Sequence, residues 1–280
     1  MDTILKKEKG LTLIELLIAL VISALLIAGL YRTFIDQQKT FTVQEQVVDM
    51  QQNIRAGINR MMTEIRMAGF GNVSMVLPVS YSTGTFNNVL NLNTPAAGSL
   101  TIVSSIDETS TLAAEGGIGQ NQVTVSTLTD GQGNALFDTG NRKYISIGGV
   151  ESHRITSIDS GTSTITLSGP LGFYHPAGTP VYIIRALSYQ VASVNGTHTL
   201  MRDEHLGDGP QPQADNIEDL QFTYLDANEN PTLNPLDIRI IRVALRARTE
   251  RQDPDLNEGD GYRRRQIASN IHIRNMGLTP

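Results

Sequence analysis

One isolated carboxylate near the start of the chain is the first residue that could do chemistry. Glu15 is the single ionisable residue in the apolar run from Leu11 to Leu30, and a basic segment ending at Gly10 precedes that run. About 20 apolar residues are enough for a helix to cross a bilayer. A charge in that setting costs about 2.5–3.5 kcal/mol on insertion scales, so Glu15 predicts a functional role for this carboxylate.

Two common N-terminal elements share part of this pattern. A secretory signal peptide also has a basic head and an apolar segment, but this run is long for that class, and Tyr31, Arg32 and Thr33 follow it instead of a small-residue cleavage site. A plain membrane anchor explains the length and leaves Glu15 unexplained. The basic residues, at positions 6, 7 and 9, predict a cytoplasmic N-terminus and a chain that continues outside.

The stretch "KGLTLIELLIALVISALLIAGLYR" resembles the class III signal of type IV pilins and their relatives. That resemblance implies cleavage by prepilin peptidase after Gly10. Leu11, at a position where the family most often has Phe, would then become the methylated mature N-terminus. It also implies that the helices bundle in a filament core, where Glu15 would pair with the free amine of a neighbouring subunit and set the axial register.

The second half of the helix is predicted from a polar but periodic segment. Apolar residues recur there at steps of three and four, as expected for one face of a helix. They are Val43, Val47, Met50, Ile54, Ile58, Met61, Ile65 and Ala68. The pattern predicts one helix from Leu11 to about Phe70, with Gly69 and Gly71 as its stop and Gly57 as either a kink or a place of close approach.

After Asn72 the pattern changes to short β-branched runs separated by Gly, Asn, Asp and Ser, which predict short strands. One of these runs is "PVYIIRALSYQV", which begins at Pro180. Two long runs, Ile217–Leu225 and Ile238–Arg248, alternate apolar and polar residues, with a phase slip between Ile240 and Ile241 that predicts a bulge. A third run, 265–275, completes a hairpin over an acidic loop. The fold class predicted is α+β: a long N-terminal helix packed by its second half on an antiparallel β-sheet, with further β-rich insertions.

The predicted organisation has four parts. Residues 1–10 form a leader, 11–30 a transmembrane and filament-core half of the helix, 31–70 its amphipathic half, and 71–280 a β-rich periplasmic or extracellular domain. The chain has 280 residues, which is long enough for a sizeable core, and it lacks cysteine, which excludes disulfides and thiolate metal sites.

Enzymatic and nucleic-acid-binding functions are disfavoured by the sequence. The five histidines are scattered, and neither H-E-x-x-H nor G-x-S-x-G occurs. Residues 71–280 carry 14 Lys and Arg against 21 Asp and Glu, so six arginines that could form a basic patch are expected to pair locally. These are Arg242, Arg246, Arg248, Arg263, Arg264 and Arg265.

Two oxygen-rich loops leave calcium open as a ligand. The first, Asp226–Asp237, places Asp226, Asn228, Asn230 and Asp237 at EF-hand-like positions, but Pro231 stands where that loop needs glycine. The second, Asp253–Asp260, contains Asp255 and Asn257 as well. Solvated acidic turns are the favoured interpretation, so the sequence predicts no cofactor.

A second and narrower resemblance, to PilW-like minor pilins, comes from segments that follow the apolar run. It rests on "VQEQVVDMQQNIRAGINRMMTEIRMAGF", "NIEDLQFTYL" and "RRRQIASNIHIRNMGL". It implies a non-enzymatic subunit of the inner membrane and then the pilus. Its partners would be prepilin peptidase, other minor pilins, the major pilin, membrane lipid and the inner-membrane assembly platform. A J-type pseudopilin of type II secretion is the alternative, and a membrane-anchored enzyme the third.

Overall fold

The structure is a computed structural model that describes residues 12–92, 98–105, 107–256 and 259–276. The chain divides into two compact units, Met1–Asp49 and Met50–Pro280. The predicted boundaries at residues 10, 30 and 70 concern processing and membrane depth, and they remain predictions.

One helix, α1, runs from Leu13 to Arg66 without a proline. It ends where Gly69 and Gly71 adopt left-handed φ angles of 82° and 93°, which residues with a Cβ rarely adopt. The predicted helix and its glycine stop are therefore confirmed, with the end four residues earlier than expected. A short 3₁₀ turn, Val73–Val76, follows.

Sixteen strands follow within the described ranges. They are β1 (Val79–Tyr81), β2 (Gly84–Phe86), β3 (Leu90–Leu92), β4 (Ser99–Ser104), β5 (Glu108–Thr111), β6 (Gln122–Thr124), β7 (Tyr144–Ile147), β8 (Glu151–Asp159), β9 (Thr164–Leu167), β10 (Pro180–Ile183), β11 (Arg185–Val194), β12 (Thr197–Asp203), β13 (Gln211–Asp215), β14 (Ile217–Leu225), β15 (Ile240–Arg248) and β16 (Arg264–His272).

The strands pair only antiparallel among the described residues, in a hairpin of β1 and β2 and three larger sheets. The five-stranded sheet has the order β13-β12-β11-β4-β3, and the three-stranded sheet has the order β14-β15-β16. The six-stranded sheet, β5-β10-β7-β8-β9-β6, encloses its own core of residues such as Ile145, Ile165 and Val181. The α+β prediction is confirmed.

The predicted apolar stripe is buried from Met50 onward. The helix packs there against two sheets, whereas the sequence predicted one. The evidence is at Gly57, where an added Cβ would lie 2.9 Å from Leu200 Cδ2 on β12 and 4.0 Å from Leu245 Cδ1 on β15. Gly57 is thus a position of close approach, because the strands come too near for a side chain.

Two local predictions about strands are wrong. No bulge lies between Ile240 and Ile241, since β15 pairs without a break with both β14 and β16 there. Both isoleucines are buried, which shows that this end of the strand is covered on both faces. The alternation of apolar and polar residues is therefore interrupted without a bulge. The register shift is in β14, between Ile217 and Asp219. The single run predicted near Pro180 is also two strands, β10 and β11, which belong to different sheets.

A buried ion pair joins the helix to the five-stranded sheet. Glu64 accepts hydrogen bonds from Arg202 Nε at 3.0 and 3.1 Å, and Arg202 Nη2 lies 2.9 Å from Glu64 Oε1. The hydroxyl of Tyr189 donates to the same carboxylate, and burial followed by the Glu64 charge raises the pKa of that phenol. Removing one partner of such a pair leaves a buried charge and is strongly destabilising.

We predict that Arg202→Met destabilises the β-rich unit by about 3 kcal/mol. This is the lower end of the usual cost of breaking a buried ion pair, because half-exposed Arg60 remains 3.3 Å from Glu64 and partly offsets its charge. This corresponds to a fall in Tm of about 6–12 °C, measured by circular dichroism in micelles. Arg142→Met is the control, because Arg142 pairs with exposed Asp208 at 4.0 Å and should cost under about 1 kcal/mol. Equal losses for the two variants would contradict the role given to Arg202.

Candidate functional site

The start of the helix is a capping box formed by Thr12 and Glu15. Thr12 precedes the first helical residue, Leu13, and Glu15 is the third residue of the helix. The Thr12 N–H and Thr12 Oγ1 each donate to Glu15 Oε2 at 2.9 Å, and the Glu15 N–H donates to Thr12 Oγ1 at 3.3 Å. The Thr-x-x-Glu sequence therefore provides acceptors for backbone N–H groups that have no partner within the helix at its N-terminus.

This geometry gives Glu15 a role within its own chain that the sequence interpretation missed. The signal was present, because Thr-x-x-Glu before an apolar run is itself a capping-box pattern. The backbone N–H and the hydroxyl of Thr12 both donate hydrogen bonds to Glu15 Oε2. A donor from another chain would therefore bind at Oε1 without breaking the capping box.

The residues that follow Glu15 are exposed on all sides of the helix in the single chain. Leu16, Leu20 and Leu30, for example, are 60%, 63% and 71% exposed. Helix α1 is long and apolar enough to cross a membrane by length and composition, with its apolar window near the N-terminus. An isolated helix that is apolar all round needs lipid or other helices around it.

The predicted processing residues cannot be placed beside Glu15. Gly10 and Leu11 lie outside the described residues. Glu15 is described, at the first turn of α1. The role of Glu15 in assembly and the roles of Gly10 and Leu11 in processing and methylation remain predictions.

A buried carboxylate–histidine cluster lies elsewhere, and sequence reasoning did not find it. Fully buried Glu151 has His175 Nε2 2.6 Å from Oε1 and His153 Nε2 3.1 Å from Oε2. It also accepts the Gly172 N–H at 2.8 Å and the Phe173 N–H at 3.2 Å. Burial opposes ionisation, but these hydrogen bonds outweigh it and hold the pKa of Glu151 below its usual value. The cluster fastens the loop before β10 to β8.

The two oxygen-rich loops use their carboxylates to close turns. Asp226 Oδ1 accepts the backbone N–H of Asn228 and of Asn230 at 2.8 and 2.9 Å, and buried Asp253 lies 2.6 Å from Arg263 Nη2. Asn257 lies outside the described residues. No group of three or more His, Asp or Glu side chains in the part of the chain that the structure covers could hold a metal ion. Calcium binding remains untested.

Four of the six arginines pair with carboxylates, as expected from the net charge. Arg264 lies 2.7 Å from Glu218 and 2.5 Å from Asp260, and Arg246 and Arg248 each approach Glu218 within 3.6 Å. Arg263 pairs with Asp253. Pairing of this kind lowers the positive charge that a phosphate backbone would meet.

Comparison with known families bears on the same N-terminal segment. Residues 5–31 match the family described as the prokaryotic N-terminal methylation motif. The N-terminus is that of a type IV pilin-like or pseudopilin protein. Such a pilin-like precursor is a structural protein that is processed by prepilin peptidase and assembles with other pilins. Searches of curated proteins and of solved structures found no match.

For this pilin-like protein we predict that Thr12→Ala weakens the first helical turn by about 1 kcal/mol. The Glu15 N–H would lose its acceptor, and exchange of the first-turn amides should accelerate about fivefold. The measurement is amide hydrogen exchange by NMR on the chain in micelles. Thr12→Ser keeps the hydroxyl and should exchange like the wild type. Unchanged exchange in Thr12→Ala would show that the capping box does not hold this turn.

Proposed function

We propose that the chain is a PilW-like minor pilin that helps to start or cap a type IV pilus together with other minor pilins. The observation that carries the proposal is the methylation motif at residues 5–31, which includes the first part of helix α1. The residues of that helix from Met50 onward belong to a large β-rich unit. The size of that unit favours a minor subunit, since the major pilins that the sequence resembles are usually smaller.

The proposed chemistry is done to the chain at its N-terminus. Prepilin peptidase cuts after Gly10, and the new amine of Leu11 is methylated. The methylated amine remains a cation, so it can pair with a carboxylate. Glu15 of a neighbouring subunit supplies that carboxylate in the filament core, where an unpaired charge would be costly. The capping box is compatible with this assignment, because both Thr12 donors end on Oε2 and Oε1 is left for the amine as a third donor.

The proposed location follows from charge and hydrophobicity. The basic residues before Gly10 keep the N-terminus in the cytoplasm, and residues after the apolar run lie on the periplasmic side. Membrane lipid surrounds the apolar run before assembly, and neighbouring pilin helices replace it afterwards. The assembly platform of the inner membrane is the expected partner in that transfer. Nucleic acid is not a proposed partner, because most of the candidate arginines are paired.

A J-type pseudopilin of type II secretion is the second candidate. The same motif and the same combination of helix and β-rich unit favour it equally. The two functions differ in the filament that contains the subunit. Detection of the mature chain in sheared surface pili would support the first, and its co-purification with secretion pseudopilins would support the second.

We predict that the mature chain begins at methylated Leu11 and that Gly10→Val blocks cleavage, because a β-branched side chain fills the scissile position. Intact mass and N-terminal sequencing of membrane protein, with and without the peptidase, measure both. Gly29→Ala is the control, since a Cβ at Gly29 meets nothing within 4 Å. A wild-type chain that starts at Met1, or beyond Leu30, would overturn the pilin proposal.

A further inference from the structure

A polar patch covers one face of the five-stranded sheet. Thr101, Ser188 and Asp203 are cross-strand neighbours on β4, β11 and β12. The next row on the same face is formed by Ser99, Gln190 and Met201. The opposite face of these strands carries Tyr189 and Arg202, which bind Glu64 of the helix. The patch therefore faces away from the helix, because successive side chains of a strand alternate between faces.

This patch is the floor of a cavity of about 250 Å³. The hairpin of β1 and β2 supplies one wall through Thr83 of its turn and through strand β2, and His205 supplies another. The ring centroids of Phe86 and His205 are 4.8 Å apart. The volume is just below the range of about 300–1,000 Å³ that is usual for small-molecule sites, so it suits a ligand of one ring.

A chain of hydrogen bonds fixes the polar atoms around this cavity. His205 Nδ1 lies 2.6 Å from Thr83 Oγ1, His205 Nε2 lies 2.7 Å from Ser188 Oγ, and Ser188 Oγ lies 2.5 Å from Thr101 Oγ1. The backbone N–H of His205 donates to Asp203 Oδ1 at 2.8 Å. This hydrogen bond helps to hold His205 at a left-handed φ of 56°. Burial lowers the pKa of His205, so the ring is neutral at pH 7 and has one donor and one acceptor.

Polar side chains alone are ordinary on a solvent-facing sheet. This group differs because His205 is only 9% exposed and both of its ring nitrogens are hydrogen-bonded. A histidine buried between a sheet and a hairpin, with its partners in a fixed arrangement, is preorganised in the way that binding sites are. The hydroxyls, the amide of Gln190 and the carboxylate of Asp203 then present both donors and acceptors to the cavity.

We propose that this cavity binds one neutral sugar ring. The presence of both donors and acceptors matches the hydroxyl groups of a sugar, each of which donates and accepts. Phe86, Met201 and Pro210 add the apolar surface that the C–H faces of such a ring require. The lining contains Asp203 and neither lysine nor arginine, so an anionic ligand would meet the negative charge of Asp203 without a cation to offset it in the lining. This proposal is independent of the pilin assignment.

The test is saturation-transfer-difference NMR on the full chain in lauryldimethylamine-oxide micelles, since this detergent has no sugar headgroup. The probes are glucose, galactose and N-acetylglucosamine at millimolar concentration, and glucose 6-phosphate is the charged comparison. We expect a saturable signal from at least one neutral sugar and an affinity for glucose 6-phosphate that is lower than for glucose. The absence of any neutral-sugar signal, or tighter binding of the phosphorylated probe, would overturn the proposal.

Two variants show whether a signal comes from this cavity. Gln190→Ala removes an exposed amide from the floor, and Asp203→Asn keeps the acceptor for the His205 N–H, so both should fold. Each should weaken sugar binding about tenfold, the effect of losing one well-placed hydrogen bond. Ser193→Ala, on the same strand but outside the cavity, is the matched control. Wild-type affinity in both cavity variants would assign the signal elsewhere and contradict the proposal.

Discussion

Burial of one face of helix α1 between Met50 and Ile65 is the constraint on which the β-rich unit depends. Two sheets approach this face so closely at Gly57 that no side chain fits between them without a shift. Glu64 is the one charged residue in the buried face of α1, and its partners, Tyr189 and Arg202, come from adjacent strands. A slide of the helix by one turn would separate these charges, so the ion pair fixes the axial position of the helix on the sheet.

The same physical requirement applies at the other end of the helix. Glu15 stands at the start of an apolar run and must keep hydrogen-bond donors wherever that run is placed. The capping box supplies two donors from Thr12 in the single chain. On the proposed function, a methylated amine of the next subunit supplies a third. A carboxylate that is already held in one rotamer would lose little side-chain entropy when it pairs.

Local periodicity predicted the elements that are long and buried on one face. The stripe that begins at Val43 predicted the helix, and Ile217–Leu225 was predicted with the bounds that the structure shows. Long-range pairing was beyond a single sequence. Neither the meeting of His153 and His175 on Glu151 nor the joint cover of the helix by two sheets has a local signal. The bulge predicted between Ile240 and Ile241 was wrong. Two consecutive apolar residues also occur where a strand is buried on both faces, as β15 is at this end.

On the proposed function, the charge of Glu15 drives assembly, and Glu15→Gln is the variant that isolates this charge. Glutamine can still complete a capping box, so this variant keeps the helix start and removes only the charge. The measurement is the amount of mature chain in sheared filaments relative to membranes, by quantitative mass spectrometry. We expect normal processing in membranes and depletion from filaments by at least about tenfold, the factor for 1.4 kcal/mol. Incorporation of Glu15→Gln at the wild-type level would contradict it.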